Sequence, residues 1–166
     1  MRLLRIYAVV MTVMLGAGSN ARFSVAGTAS TSSVIVATTQ PRTGAPGYSW
    51  LRIYFYPSTL STDDKAAATT GRVASIKAKW SAVLQLTVDK DLKVWQVDLS
   101  LPGHTCTIAE SDRDAKNLLQ ELQLSGKRVR LKSKGSHVCD LKSLGMPKET
   151  YEWDVDLDIP VVGNAS

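Results

Sequence analysis

Two short stretches hold every histidine and every cysteine of the chain: Gly103-His104-Thr105-Cys106-Thr107 and Ser136-His137-Val138-Cys139-Asp140. Each reads His-x-Cys. Residues two apart on a β-strand share a face. His104 should therefore sit beside Cys106, and His137 beside Cys139. If the stretches meet in space, two sulfurs and two imidazoles converge, and three chemistries are open. Cys106 and Cys139 can close a disulfide, which needs Cα atoms within about 7 Å. The four side chains can instead form a tetrahedral site for Zn²⁺ or Cu(I). Single-residue spacing within each pair is not the usual zinc pattern of about two to four residues. The third option is a reactive thiol at Cys139, activated by His137. On a strand, Asp140 points away from that sulfur.

The compartment bears on this choice. Met1-Arg2-Leu3-Leu4-Arg5 is a short positive segment, and an apolar run from Ile6 to Ala17 follows. Ser24-Val25-Ala26 has the small-x-small form of a signal-peptidase site, with Ser19-Asn20-Ala21 as a second choice. The apolar run is short of the roughly 20 residues of a membrane span. The expectation is a cleavable signal peptide over 1–26, a periplasmic or extracellular location and no membrane anchor after cleavage. An uncleaved N-terminal anchor is the alternative. An exported chain with two cysteines points first to one disulfide.

The formal charge of +5 is carried largely by the leader. Setting aside Arg2, Arg5 and Arg22 leaves 17 basic residues against 15 acidic ones, about +2. Such a domain has no strong field to draw in nucleic acid.

Patterning supplies the elements that must position these residues. Positions 27–47 are rich in Ser, Thr, Gly and Pro and read as a flexible lead-in, with a short strand over Ser33 to Ala37 as an option. The remainder, 48–166, reads as a single β-rich domain. Trp50 to Tyr56 is a β-branched and aromatic strand ended by Pro57. A loop follows, with a helical turn near Asp63 to Ala68. Ala74 to Val88 keeps a period of two, which predicts one long bent strand or two strands broken near Ser81. Asp89-Lys90-Asp91 turns the chain into Lys93 to Leu101. There Trp95, Val97, Leu99 and Leu101 should face the core. Trp80 and Trp153 read as core too, and core is also the first reading of Tyr48 and Trp50, with exposed interface anchors as their alternative. His104 to Ala109 is a third strand. Ser111 to Leu124 predicts the one convincing helix, capped by Ser111 and Asp114, with a stripe of Ala115, Leu118, Leu119 and Leu122. Three strand segments follow: Lys127 to Ser133, His137 to Leu141 and Tyr151 to Val161.

The fold class is therefore mainly β with one helix, an α+β small antiparallel barrel or curved sheet. Its element order, β-β-β-α-β-β, resembles that of the OB-fold.

Two charged stripes stand out. Arg128, Arg130, Lys132 and Lys134 alternate on one strand, and Glu152, Asp154, Asp156 and Asp158 on another. Paired, they would set register. Left free, the basic stripe would be a binding face for an acidic surface. No catalytic triad, phosphate loop or apolar-set carboxylate pair is present in the sequence, so the expectation is no enzyme and no cofactor. A small exported binding module remains, with a protein as the first choice of partner and an inhibitor or immunity-like role. A metal protein using His104, Cys106, His137 and Cys139 is the alternative.

Overall fold

The computed structural model describes residues 20–25, 28–32, 34–56, 60–70, 72–77, 79–91, 93–102, 104–125, 127–140 and 148–163. The strands are β1 (Asn20–Val25), β2 (Thr28–Ser32), β3 (Val34–Pro41), β4 (Tyr48–Tyr56), β5 (Ala82–Asp89), β6 (Val94–Leu101), β7 (His104–Ala109), β8 (Leu119–Ser125), β9 (Arg128–Cys139) and β10 (Glu149–Gly163). The helices are α1 (Thr62–Thr69) and α2 (Asp112–Leu118), with a 3-10 turn at Val73–Ser75. All ten strands join one curled, half-barrel sheet in the order β2-β1-β10-β3-β4-β5-β6-β7, with β9 on β10 and β8 on β9. This is the expected mostly β, curved-sheet α+β class. The expected run of three strands, a helix and further strands is present from β5 to β10, inside a larger sheet.

β10 is the spine because its alternation is long and strict. Tyr151, Trp153, Val155, Leu157 and Ile159 are all buried. Its intervening residues face water or the charged side chains of β9. One edge of β10 carries β9 from Glu149 to Pro160. The other edge carries β1 along Tyr151 to Asp156, then β3, in parallel, at Val161 to Gly163. The main core gathers these residues with Leu51, Ile53 and Phe55 of β4, Leu84 and Leu86 of β5, and Val97 and Leu99 of β6. A smaller cluster lies on the opposite, outer face. There Val36, Tyr56, Leu60 and Ala68 pack with Tyr54, Ile76 and Trp80, so α1 and the chain after it cover one end of that face.

Three expectations are corrected. The period-two pattern from Ala74 does not become a strand until Ala82. Ile76 and Trp80 cover the outer-face tyrosines, and pairing begins where the Ser81 amide donates to the Phe55 carbonyl at 2.7 Å. The predicted helix through Leu124 stops at Leu118. Ser111 caps its start as expected, accepting from the Asp114 amide at 3.2 Å. Leu122 belongs to the helical stripe, but Leu122 and Leu124 together satisfy strand alternation, and β9 offers them a ladder opposite Leu131 and Val129. Tertiary pairing overrides the local helical preference there. Finally, Trp95 leaves the core. Val88 pairs with Val94 and Thr87 with Gln96, so Trp95 is the extra residue of a β-bulge. Bulges re-aim side chains, and Trp95 is 43% exposed.

Residues 1–19 and Ala26 of the expected leader lie outside the described residues, and Asn20–Val25 within it is β1. Composition reads 27–47 as a lead-in, yet most of it is β2 and β3, with Val36 and Ala37 buried. Among the described residues, no helix is long and apolar enough to cross a membrane.

Candidate functional site

The two His-x-Cys stretches do meet. Cys106 lies in β7 opposite Leu99, and Cys139 ends β9 opposite Glu149. They form a disulfide with Cα atoms 6.1 Å apart. Among the described residues no backbone ladder joins β7 to β9, so the bond spans the seam of the curl. Both cysteines are buried. His137 is half-buried on the same side of β9 as Cys139. Ligand atoms of Cys106, His137 and Cys139 lie within 4.8 Å of one another. His104 holds its place in β7 opposite Leu101. Asp140 turns to Lys148 at 3.5 Å and away from the sulfurs. Directly across from His137 is Tyr151, whose phenol donates to a Glu149 carboxylate oxygen at 3.4 Å. Burial, then the Glu149 charge, push the Tyr151 phenol above its usual range.

The charged stripes pair with each other. Arg128 meets Asp158 at 2.8 Å, Lys134 meets Asp154 at 3.0 Å and Lys132 meets Asp156 at 4.0 Å. Arg130 turns the other way, to Glu121 of β8 at 2.9 Å. The four cations proposed from sequence as a binding face are thus matched within the protein. All these pairs are solvent-exposed, where an ion pair contributes about 0.2–1 kcal/mol. Replacing Asp154 and Asp156 together by Asn is expected to cost under about 2 kcal/mol, with the loss shrinking as salt rises. Urea unfolding at low and high ionic strength measures this.

A different constellation, not anticipated from sequence, occupies the part of the outer face beyond α1. Arg52 of β4, Gln85 of β5, Asp98 of β6 and Thr107 of β7 hold directly paired register positions on four neighbouring strands. Arg52 Nε donates to Gln85 Oε1 at 2.7 Å. Gln85 Nε2 donates to Asp98 Oδ2 at 3.3 Å. Thr107 Oγ1 donates to Asp98 Oδ1 at 2.7 Å, and Gln96 Nε2 lies 3.0 Å from both carboxylate oxygens. The Asp98 carboxylate thereby orients the Gln85 amide, and Gln85 holds its carbonyl toward the guanidinium. Asp98 is only 5% exposed. Asp98→Ala would strand three buried or half-buried donors and is expected to cost about 1–3 kcal/mol. Thermal unfolding of the variant checks this.

Aromatic rings border this row. The Arg52 guanidinium lies 4.6 Å from the centre of the Trp50 ring. Tyr48 and Trp95 meet edge to face at 6.2 Å. The Trp95 indole N–H donates to Asp89 Oδ2 at 3.1 Å. That bond, with the backbone amides of Lys93 and Asp91, holds the Asp89 carboxyl below its usual range. The only sequence signal for this face was Tyr48 and Trp50 as possible exposed anchors. The polar members are ordinary alternating residues far apart in the chain.

Fold and site together define a disulfide-pinned, curled-sheet α+β domain with a hydrogen-bonded polar row and an aromatic border on one sheet face. The chain matches no known protein family, no curated protein and no solved structure.

Proposed function

We propose that this protein is an exported, non-enzymatic binding module, stabilised by one disulfide, that recognises another macromolecule through the outer face of β3 to β7. An inhibitor or immunity-like role suits a small domain of this kind. The observation that carries the reading is Trp95. A bulge turns this large ring out of the core, and Asp89 fixes its N–H, which leaves a rigid exposed aromatic beside Tyr48, Trp50 and Arg52. Trp, Tyr and Arg are the residues that dominate binding energy at interfaces, and a ring already held in place loses little entropy on binding. Asp98 supports binding over catalysis, because its carboxylate is spent on three neutral donors. Export is supported by the leader-like start and by a disulfide, which suits an oxidising compartment.

The test uses the full chain in a host that exports it. A photo-crosslinking residue at position 95 is expected to capture a partner from the exporting compartment, whereas the same label at position 132, on the paired charge ladder, is not. Equal labelling from both positions, or none from either, overturns the reading.

A second reading rests on the 4.8 Å cluster. Reduced, Cys106, His137 and Cys139 supply a two-sulfur, one-imidazole set suited to Zn²⁺ or Cu(I), and His104 is the fourth candidate from sequence. Native mass spectrometry of protein isolated without reductant decides this. One bound metal with two alkylatable thiols supports the metal protein. A metal-free chain that resists alkylation rejects it.

A further inference from the structure

We propose that the outer-face row is a track for a linear, carboxylate-bearing polysaccharide, with Arg52 reading a uronate carboxylate and Trp95 stacking on a sugar ring. The inference rests on the reading of this face as the binding surface and names its ligand class. Three observations point there.

The first is spacing. Arg52, Gln85, Asp98 and Thr107 run across the strands, one per strand, so the row repeats at about the 4.8 Å interstrand distance. A pyranose chain advances by about that distance per ring. An extended peptide presents same-side groups only every second residue, about 6.6–6.8 Å apart, and would fall out of step. Amides and hydroxyls also offer donors and acceptors side by side, which is what sugar hydroxyls require.

The second is charge. Arg52 makes its hydrogen bonds to the neutral side-chain carbonyls of Gln85 and, at 3.5 Å, Gln40, and stacks on Trp50. None of these partners is a carboxylate. The acid in its own row, Asp98, is already satisfied by neutral donors. A half-buried guanidinium without a carboxylate partner among the described residues is complementary to an incoming carboxylate.

The third is the aromatic border. The Trp95 N–H is satisfied inside the protein by Asp89, so what the ring offers outward is its apolar surface. That surface suits the C–H face of a sugar better than a polar partner.

The experiment titrates the oxidised full-length protein with oligomers of galacturonate, mannuronate and glucuronate, and with their neutral methyl esters. Tryptophan emission and calorimetry report binding. At least one acidic series should bind, with affinity rising over successive lengths until the row is spanned, and its methyl ester should bind at least about tenfold more weakly, the scale of a lost charged hydrogen bond. Arg52→Gln should reproduce that loss in the acidic series, and Arg52→Lys should recover part of it. Trp95→Ala should abolish binding and Trp95→Phe retain some, every variant being titrated well below its own melting temperature so that lost binding is read apart from lost stability. The polysaccharide is overturned if no series binds, if esters bind as well as acids, or if Arg52→Gln binds like the parent. Should every series fail while position 95 still crosslinks a protein, the ligand class falls and the binding face stands. Failure of both removes the face itself.

Discussion

Reduction of the Cys106–Cys139 bond is expected to lower the unfolding free energy by about 3–4 kcal/mol, the chain-entropy value for a loop of 33 residues. A domain of this size has about 5–15 kcal/mol in total, so the reduced protein should sit near the edge of folding at physiological temperature. The location sharpens the expectation. Among the described residues, β7 pairs with β6 alone, and β9 with β10 and β8. Across the seam there is no ladder to take over when the covalent link is gone. What remains is packing: α2, with Ala115 buried and Leu118 against the core, and the shared core that gathers Ile108 of β7 with Val129 and Leu131 of β9. Both sulfurs are buried. A thiol reductant must therefore wait for the seam to open, and reduction of the native protein should be slow and speed up with mild denaturant. Guanidinium unfolding of the oxidised protein, the reduced protein and a Cys106→Ala/Cys139→Ala pair measures the effect. A loss under about 1 kcal/mol would mean that packing alone closes the curl.

Gly135→Ala should produce the next largest effect, in the middle of β9. Gly135 pairs directly with Trp153 of β10, and a Cβ there would lie 2.6 Å from Cζ2 of the indole. The indole cannot yield cheaply. It is almost fully buried, and its N–H donates to Ser133 Oγ at 2.9 Å. That hydroxyl in turn donates to the Leu118 carbonyl at 2.8 Å. One short chain of hydrogen bonds thus ties β10, β9 and the end of α2. Overpacking costs about 1–3 kcal/mol, and a broken buried hydrogen bond adds about 1 kcal/mol. Combining Gly135→Ala with Trp153→Phe removes the clashing ring edge, so the double variant should lose less than the sum of the two single changes. Strict additivity, or a neutral Gly135→Ala, would show that the indole is free to shift.

Strand alternation was legible wherever one face met the core. The inward sets of β4, β6 from Val97, and β10 follow directly from the positions of Leu51, Ile53, Phe55, Val97, Leu99 and the Tyr151 to Ile159 series. The Ser111 cap was legible because it is local. The far end of that helix was not, because Leu119 and Leu122 suit a helical stripe while Leu122 and Leu124 suit a strand, and β9 decides between them. Trp95 was misplaced for a related reason. Alternation assumes an unbroken ladder, and the bulge opposite Thr87 and Val88 shifts the phase by one residue. A one-residue slip sends a side chain to the other face.

By itself the sequence determined a mostly β domain and the capped start of α2, and brought Cys106 and Cys139 forward as its one covalent possibility. The second full helix, α1, was legible only as a turn. Only the tertiary structure decided that the basic and acidic stripes neutralise each other, and that Arg52, Gln85, Asp98 and Thr107 form one row. The physical reason is the same for both. Period two specifies which way a side chain points, while its neighbours across the sheet depend on strand order, register and bulges, and these are settled between segments far apart in the chain.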